Sequence, residues 1–270
     1  EPLLRTVQEH FPHLKRLERR EKDQYVLDPD KLRRKVSKKT GLLALTNPHA
    51  PSGVISDRKL LKEIMDVARE HNFYVLCDEI YAEFDRNSVP TLFSVDPELG
   101  IVTTSFTKAY GLGGLKLGVA LAEKSLVEEL YTDVLNTVGN SPNIVQIVAT
   151  ELVGKAKEDL RKHKEKWNSL KQETENWFNE NELEFFPNKC GVTYWTRLPV
   201  KDTYRWINEL TIPRYSLAAV PGTFFMFGKG YELKTSNMIR LGLGAIEPRK
   251  EALREALESL RKAIRGIPPR

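Results

Sequence analysis

Three short stretches of the sequence gather side chains able to do chemistry. Asp78-Glu79-Ile80-Tyr81 offers carboxylates and a phenol, and Ser105-Phe106-Thr107-Lys108 offers hydroxyls and an amine. Asn47-Pro48-His49-Ala50-Pro51-Ser52-Gly53 is a polar segment whose prolines and glycine suit no element interior, so it reads as a loop. A lysine held near apolar groups and other cations loses proton affinity and can serve as a nucleophile or base. A carboxylate at a neighbouring position can hold a protonated ring nitrogen. Asp78 and Glu79 side by side also raise the possibility of a metal pair. Adjacent strand residues point to opposite faces, however, and the only nearby Cys or His is the buried-looking Cys77, so no metal site is expected.

Positioning these groups together requires strands that end at one edge. Leu42 to Thr46, Phe73 to Cys77 and Ile101 to Thr104 are short apolar runs suited to strands buried on both faces, and each one leads into a chemistry-bearing stretch. Leu115 to Leu121 reads as a fourth strand. Between them lie helical patterns. One runs from Asp30 to Lys39, stopped by Gly41. Another is capped by Ser56 or Asp57, with Leu60, Leu61, Ile64, Met65, Val67 and Ala68 on its apolar side, and Lys124 opens a third. Strand and helix alternating at this spacing specify an α/β fold with a mainly parallel sheet, in which ligands bind at the carboxyl ends of strands.

The second half differs. Ile144 to Glu182 is almost continuously helical in pattern, with a break expected at Gly154. Short strands follow at Glu184 to Phe186, Gly191 to Arg197 and Met238 to Leu243, mixed with helices near Thr203 to Leu210 and Pro248 to Ile264. The expected division is a large domain over residues 1–165 and a smaller α+β domain over 166–270, entered by the long helix.

Composition bounds the class. The 270 residues are 40% apolar and 29% charged, with a mean hydropathy of −0.43, which is the profile of a globular chain and not of a membrane span or a disordered one. Two cysteines argue against a disulfide framework and fit a reducing, cytoplasmic setting. The net charge of +5 is concentrated between His13 and Lys39, where eleven Lys/Arg face five Asp/Glu. Acids interrupt that run and Tyr25 is its only aromatic. It therefore reads as a solvated face and not as a nucleic-acid patch. His10, His13, His71 and His163 sit in charged, helix-like surroundings and read as surface residues.

The order Asn-Pro-x-x-Pro-Ser-Gly, Asp-Glu-Ile-Tyr, then Ser-x-x-Lys-x-x-Gly-Leu-x-Gly-x-x-x-Gly resembles the class I/II aminotransferases of the fold-type-I pyridoxal phosphate enzymes. The similarity runs from about Tyr25 to the C-terminus. It implies pyridoxal 5′-phosphate as cofactor and a large cofactor domain followed by a small one. The implied reaction moves an amino group between an L-amino acid and a 2-oxo acid. By position, Lys108 matches the lysine that carries the cofactor and then moves the proton at the substrate's Cα. Asp78 matches the carboxylate on the pyridine nitrogen, and Tyr81 the phenol on the 3′ oxygen. Ser105 and Lys116 match groups on the phosphate, and Arg240 matches the arginine that grips the substrate α-carboxylate through its two-pronged guanidinium. A homodimer, with the active site between two large domains, is also implied; neither nucleic acid nor membrane is an expected partner. The alternatives are a lyase or decarboxylase on the same scaffold and a non-catalytic or incomplete fragment.

Two positions depart from the family pattern. Ala50 stands where the family has an asparagine that donates to the 3′ oxygen, and Lys116 stands where arginine is usual. Both imply weaker or differently tuned cofactor binding. In the family, roughly a hundred residues precede the matching region and supply the loop whose backbone amides cradle the phosphate, together with an aromatic that stacks on the ring. No glycine occurs before Gly41, and Phe11 and Tyr25 lie outside any matching motif. The expectation is that these residues belong to a longer chain and bind the cofactor weakly alone.

Overall fold

The computed structural model describes residues 9–10, 13–155, 157–226, 234–243 and 249–266. Its first sheet has the order β1 (Leu42–Thr46), β2 (Tyr74–Asp78), β3 (Gly100–Ser105) and β4 (Gly118–Leu121). The first three strands run parallel, and β4 turns back antiparallel to β3. Helix α1 (Pro29–Lys35) starts on Asp28, whose side chain accepts from the Asp30 and Lys31 amides. It stops earlier than the apolar spacing suggests, because Val36 is extended and Ser37–Thr40 closes a turn of its own. Helix α2 (Arg58–His71) is capped by Asp57 at the Leu60 amide and ends on Asn72 in the left-handed region. It buries Leu61, Ile64, Met65, Val67 and Ala68 against Leu45, Val75, Cys77 and Val102.

The apolar run from Leu115 pairs only from Gly118 onward. Gly113–Leu115 forms a 3₁₀ turn, and Lys116 follows at a φ of 51°. Helix α3 (Lys124–Thr137) then leads to α4 (Asn143–Lys155) and α5 (Lys157–Glu180). Helical residues thus cover most of the segment expected to be helical, and Gly154, the expected break, lies inside the run Asn143–Lys155.

The second sheet is antiparallel, in the order β5 (Phe185–Phe186), β6 (Thr193–Arg197), β8 (Met238–Gly242), β7 (Val220–Pro221). The helix expected near Thr203 is α6 (Thr203–Trp206), a π-helical turn (Ile207–Thr211) and α7 (Ile212–Tyr215). Pro213, with no N–H to donate, sits where the ladder changes. Helix α8 (Lys250–Arg265) closes this half, placing Leu253, Leu257, Leu260 and Ala263 among Trp167, Leu170, Trp177 and Phe178. A small third cluster of Ala82, Val89 and Cys190, with Ile55 and Phe84 packed on it, joins the two sheets.

Candidate active site

Strand register puts the three chemistry-bearing stretches side by side. Thr46 pairs with Asp78, and Asp78 with Thr103. The ladders continue one step further, through the Asn47 amide to the Asp78 carbonyl and the Glu79 amide to the Thr103 carbonyl. The loops that leave these ends therefore share one edge of the sheet. Asn47 shapes the first loop from inside: fully buried, it accepts from the Ser56 amide at 2.9 Å and donates to the Ser56 carbonyl at 3.1 Å. Gly53, at a φ of 75°, closes the turn onto the His49 carbonyl.

Asp78 is half-buried, and among the described residues its Oδ1 accepts only the Ile80 amide, at 3.0 Å. Burial lifts its carboxyl above the ordinary carboxylate range, and the Ile80 hydrogen bond opposes that lift. Tyr81 lies two residues beyond the strand-end pair. Burial raises its phenol, the charge of Arg240 pulls it back down, and that of Asp78 adds to the rise. Arg240 comes from β8 of the other sheet and lies over the Phe225 ring at 5.4 Å. The phenol thus senses both the carboxylate of its own strand end and the guanidinium of the other sheet.

Lys108 follows the end of β3 by three residues and is half-buried, and its side-chain amine has no hydrogen-bond or ion-pair partner among the described residues. Ser105 accepts the Thr107 amide at 3.2 Å. A Cβ added at Gly113 would meet only Thr107, at 3.6 Å, and one at Gly114 would meet nothing, so there is space beside this loop. Lys116, two residues beyond Gly114, is exposed.

Several contributors escape a local reading of the sequence. Glu79 is fully buried and spent on structure: its carboxylate accepts Arg86 Nη1 at 2.6 Å and the Leu92 amide at 2.8 Å. Asp78 and Glu79 therefore face opposite ways, as strand alternation requires. Among the described residues no cluster of three metal-ligating side chains forms. Tyr25 stacks on His49 with ring centroids 5.9 Å apart and accepts a hydrogen bond from Trp195 Nε1 at 3.0 Å. Trp195 is the direct cross-strand neighbour of Arg240. The basic run is also not uniformly solvated. Arg16 donates to the Phe225 carbonyl. The Arg19 Nη1 is buried without a partner among the described residues, and burial pushes that guanidinium down to about 10. His49 is held well below 6.5 by burial and by these two charges. His10, His13 and His71 are exposed; the side chain of His163 and the whole of Phe11 fall outside the described residues.

Comparison with known proteins decides the family. The model of aminotransferase class I and II matches residues 10–260. The chain belongs to this family. Class I and II relatives include an aspartate aminotransferase of Pyrococcus horikoshii, 28% identical over 93% of this chain and 63% of its own length. An aromatic-amino-acid aminotransferase 2 of Thermococcus litoralis is 26% identical over 91% of this chain and 62% of its own. A PLP-dependent aminotransferase from Streptococcus suis shares the fold, with a TM-score of 0.81 at 22% identity, covering 94% of this chain and 65% of that one. The chain spans just under two thirds of the length of these relatives. The family's cofactor is pyridoxal phosphate, and the donor set here suits it: a carboxylate raised by burial, a phenol, a hydroxyl and an unpartnered lysine around open space.

Proposed function

We propose that this protein is a pyridoxal-phosphate-dependent aminotransferase acting between an L-amino acid and a 2-oxo acid. The observation that carries the reading is the register Thr46–Asp78–Thr103, because it gathers the loops bearing Tyr81, Ser105 and Lys108 at one sheet edge facing Arg240. Bound there, the cofactor supplies an electron sink for charge developing at the substrate's Cα. Asp78 keeps the pyridine nitrogen protonated, and the Tyr81 hydroxyl donates to the 3′ oxygen. Ser105 and Lys116 hold the phosphate. Arg240 orients the substrate through its α-carboxylate with two parallel hydrogen bonds. Lys108 Nζ would take the proton from the substrate's Cα and hold it within reach for its return, a role that needs the amine neutral and close.

In this reading residues 1–165 form the cofactor-binding part and 166–270 the smaller part. A homodimer is the working assembly, which is supported by the exposed apolar residues of α3 and α4. The two free, buried cysteines suit a reducing cytosol. The test is borohydride reduction in the presence of cofactor, followed by peptide mapping. The pyridoxyl group is expected on Lys108, and Lys108→Ala is expected to abolish formation of keto acid from amino acid. An adduct on another lysine, or undiminished turnover in the variant, would refute the assignment.

A further inference from the structure

The loop that enters β6 touches two parts of the candidate site at once. Asn188, only 4% exposed, accepts the Cys190 amide at 3.0 Å through Oδ1 and donates to the Thr193 carbonyl at 2.6 Å through Nδ2. Its side chain lies flat against Gly53: a Cβ there would come within 2.7 Å of Asn188 Cγ. The turn it organises packs beneath Tyr81. The Cys190 thiol donates to the Tyr81 carbonyl at 2.8 Å. Gly191, at a φ of 118°, presents a face on which a Cβ would meet the Tyr81 ring at 3.3 Å. Two residues after Thr193, Trp195 pairs with Arg240. One amide side chain therefore stands between the loop after β1, the phenol after β2 and the strand that carries the arginine.

We propose that Asn188, through the Cys190–Gly191 turn it holds, is a positioning residue for Tyr81. It fixes the backbone and ring of the phenol relative to Gly53 and to Arg240. This rests on the proposed cofactor role of Tyr81 for its chemical consequence, but the contact itself stands without it. Loss of the Asn188 amide frees the turn, and Tyr81 then loses its fixed reach toward the 3′ oxygen. The pH at which the bound cofactor's visible absorbance titrates therefore moves up, as it does when the phenol is removed, because a donated hydrogen bond favours the deprotonated form of the linkage.

The experiment has two arms on Asn188→Ala. In the first, pyridoxal phosphate is bound and its absorbance titrated; the midpoint is expected to rise by roughly one pH unit, a hydrogen-bond-sized effect. Tyr81→Phe should rise likewise, and the double variant no further than Tyr81→Phe alone. Wild-type protein whose absorbance shows no titrating band overturns the cofactor reading. A wild-type band that Asn188→Ala leaves unmoved, or additive shifts in the double variant, overturns the positioning role. The second arm needs no cofactor: alkylation of Cys190, followed by peptide mass and run well below the melting temperature of both proteins, is expected to speed up by at least about tenfold in Asn188→Ala through local opening. Unchanged reactivity overturns the proposal whatever the cofactor does. Should Asn188→Ala fail to fold, Cys190→Ala removes the thiol's bond to Tyr81 and is expected to raise the absorbance midpoint in the same direction; an unmoved midpoint there overturns it.

Discussion

Helices α8 and α3 carry nearly the same spacing of apolar residues and meet opposite fates. In α8, Leu253, Leu257 and Leu260 recur at helical intervals and are buried against Trp167, Leu170, Trp177 and Phe178. In α3, Val127, Leu130, Tyr131 and Val134 recur just as regularly, yet no residue of the helix is buried; Ile144, Ile147, Leu152 and Val153 of α4, the next helix in the chain, are exposed as well. Strand β4, which leads into α3, is exposed at Gly118, Ala120 and Leu121. A stripe of apolar side chains thus states that a helix has a buried face in its working form, but not which surface covers it. The proposed site lies on the border of these two regions. Arg240 and Tyr81 are backed by the closed side, whereas Lys108 and Lys116 lie on the loop that leads to the open one.

The sharpest break in the comparison is a matched pair of truncations. Leu260→Ala removes a side chain that is 1% exposed and should cost about 2–5 kcal/mol in urea unfolding. Leu130→Ala, on the open helix, should stay within about 0.5 kcal/mol in the isolated chain. Equal losses at a concentration where light scattering reports a monomer would mean that α3 is covered within the chain itself. Leu130→Glu carries this further: light scattering should report a dimer for wild type at micromolar concentration and a monomer for the variant, and a monomeric wild type would count against the dimer.

Next in size is Asp78→Asn. Cofactor affinity should fall by about 1.5–3 kcal/mol, the worth of a hydrogen bond to a charged group, in an equilibrium titration. Without cofactor the sign reverses. A carboxyl whose folded pKa is raised binds its proton more tightly folded than unfolded, so its ionisation lowers stability as pH climbs above about 4. The apo variant should therefore melt higher than wild type at pH 7, and a lower melting point would contradict the burial of that charge. A smaller gain is expected from Ala50→Asn. Restoring the family's donor to the loop after β1 should tighten cofactor binding by about 1 kcal/mol, and titrations that overlay would show another group already in its place.

The smallest effect concerns acid. His49 is held neutral in the fold, so its contribution to stability is complete above its unfolded pKa of about 6.5 and fades as pH falls below it. His49→Gln should flatten the decline of melting temperature between about pH 6.5 and 5. An identical decline in both proteins would assign it elsewhere.

Much of this arrangement was legible in the residue order. The three strand ends follow from short apolar runs that stop at polar motifs, and Asp57 and Asn72 punctuate α2 as local rules require. What local pattern does not carry is partnership over distance. The alternation of β2 says that Asp78 and Glu79 face apart, but Arg86 and the Leu92 amide must be in place before it is clear which one is structural. Asn188 reaches Gly53 across 135 positions, and nothing near either residue signals it. Arg16 and Arg19 turn inward from a segment whose composition alone suits a solvated face, because Phe225 and His49 come to them from elsewhere in the chain.

The split between Asp78 and Glu79 also bears on how this site tolerates exchange. The reciprocal pair Asp78→Glu with Glu79→Asp leaves composition, net charge and the acidic dipeptide unchanged, and any description that counts residue types would score it as silent. Yet each side chain would miss its partner by one methylene. The shortened carboxylate would lose its span between Arg86 and Leu92, and the lengthened one would overshoot the Ile80 amide that Asp78 now accepts. Two identical charges at adjacent positions are here as little interchangeable as a hinge pin and a latch.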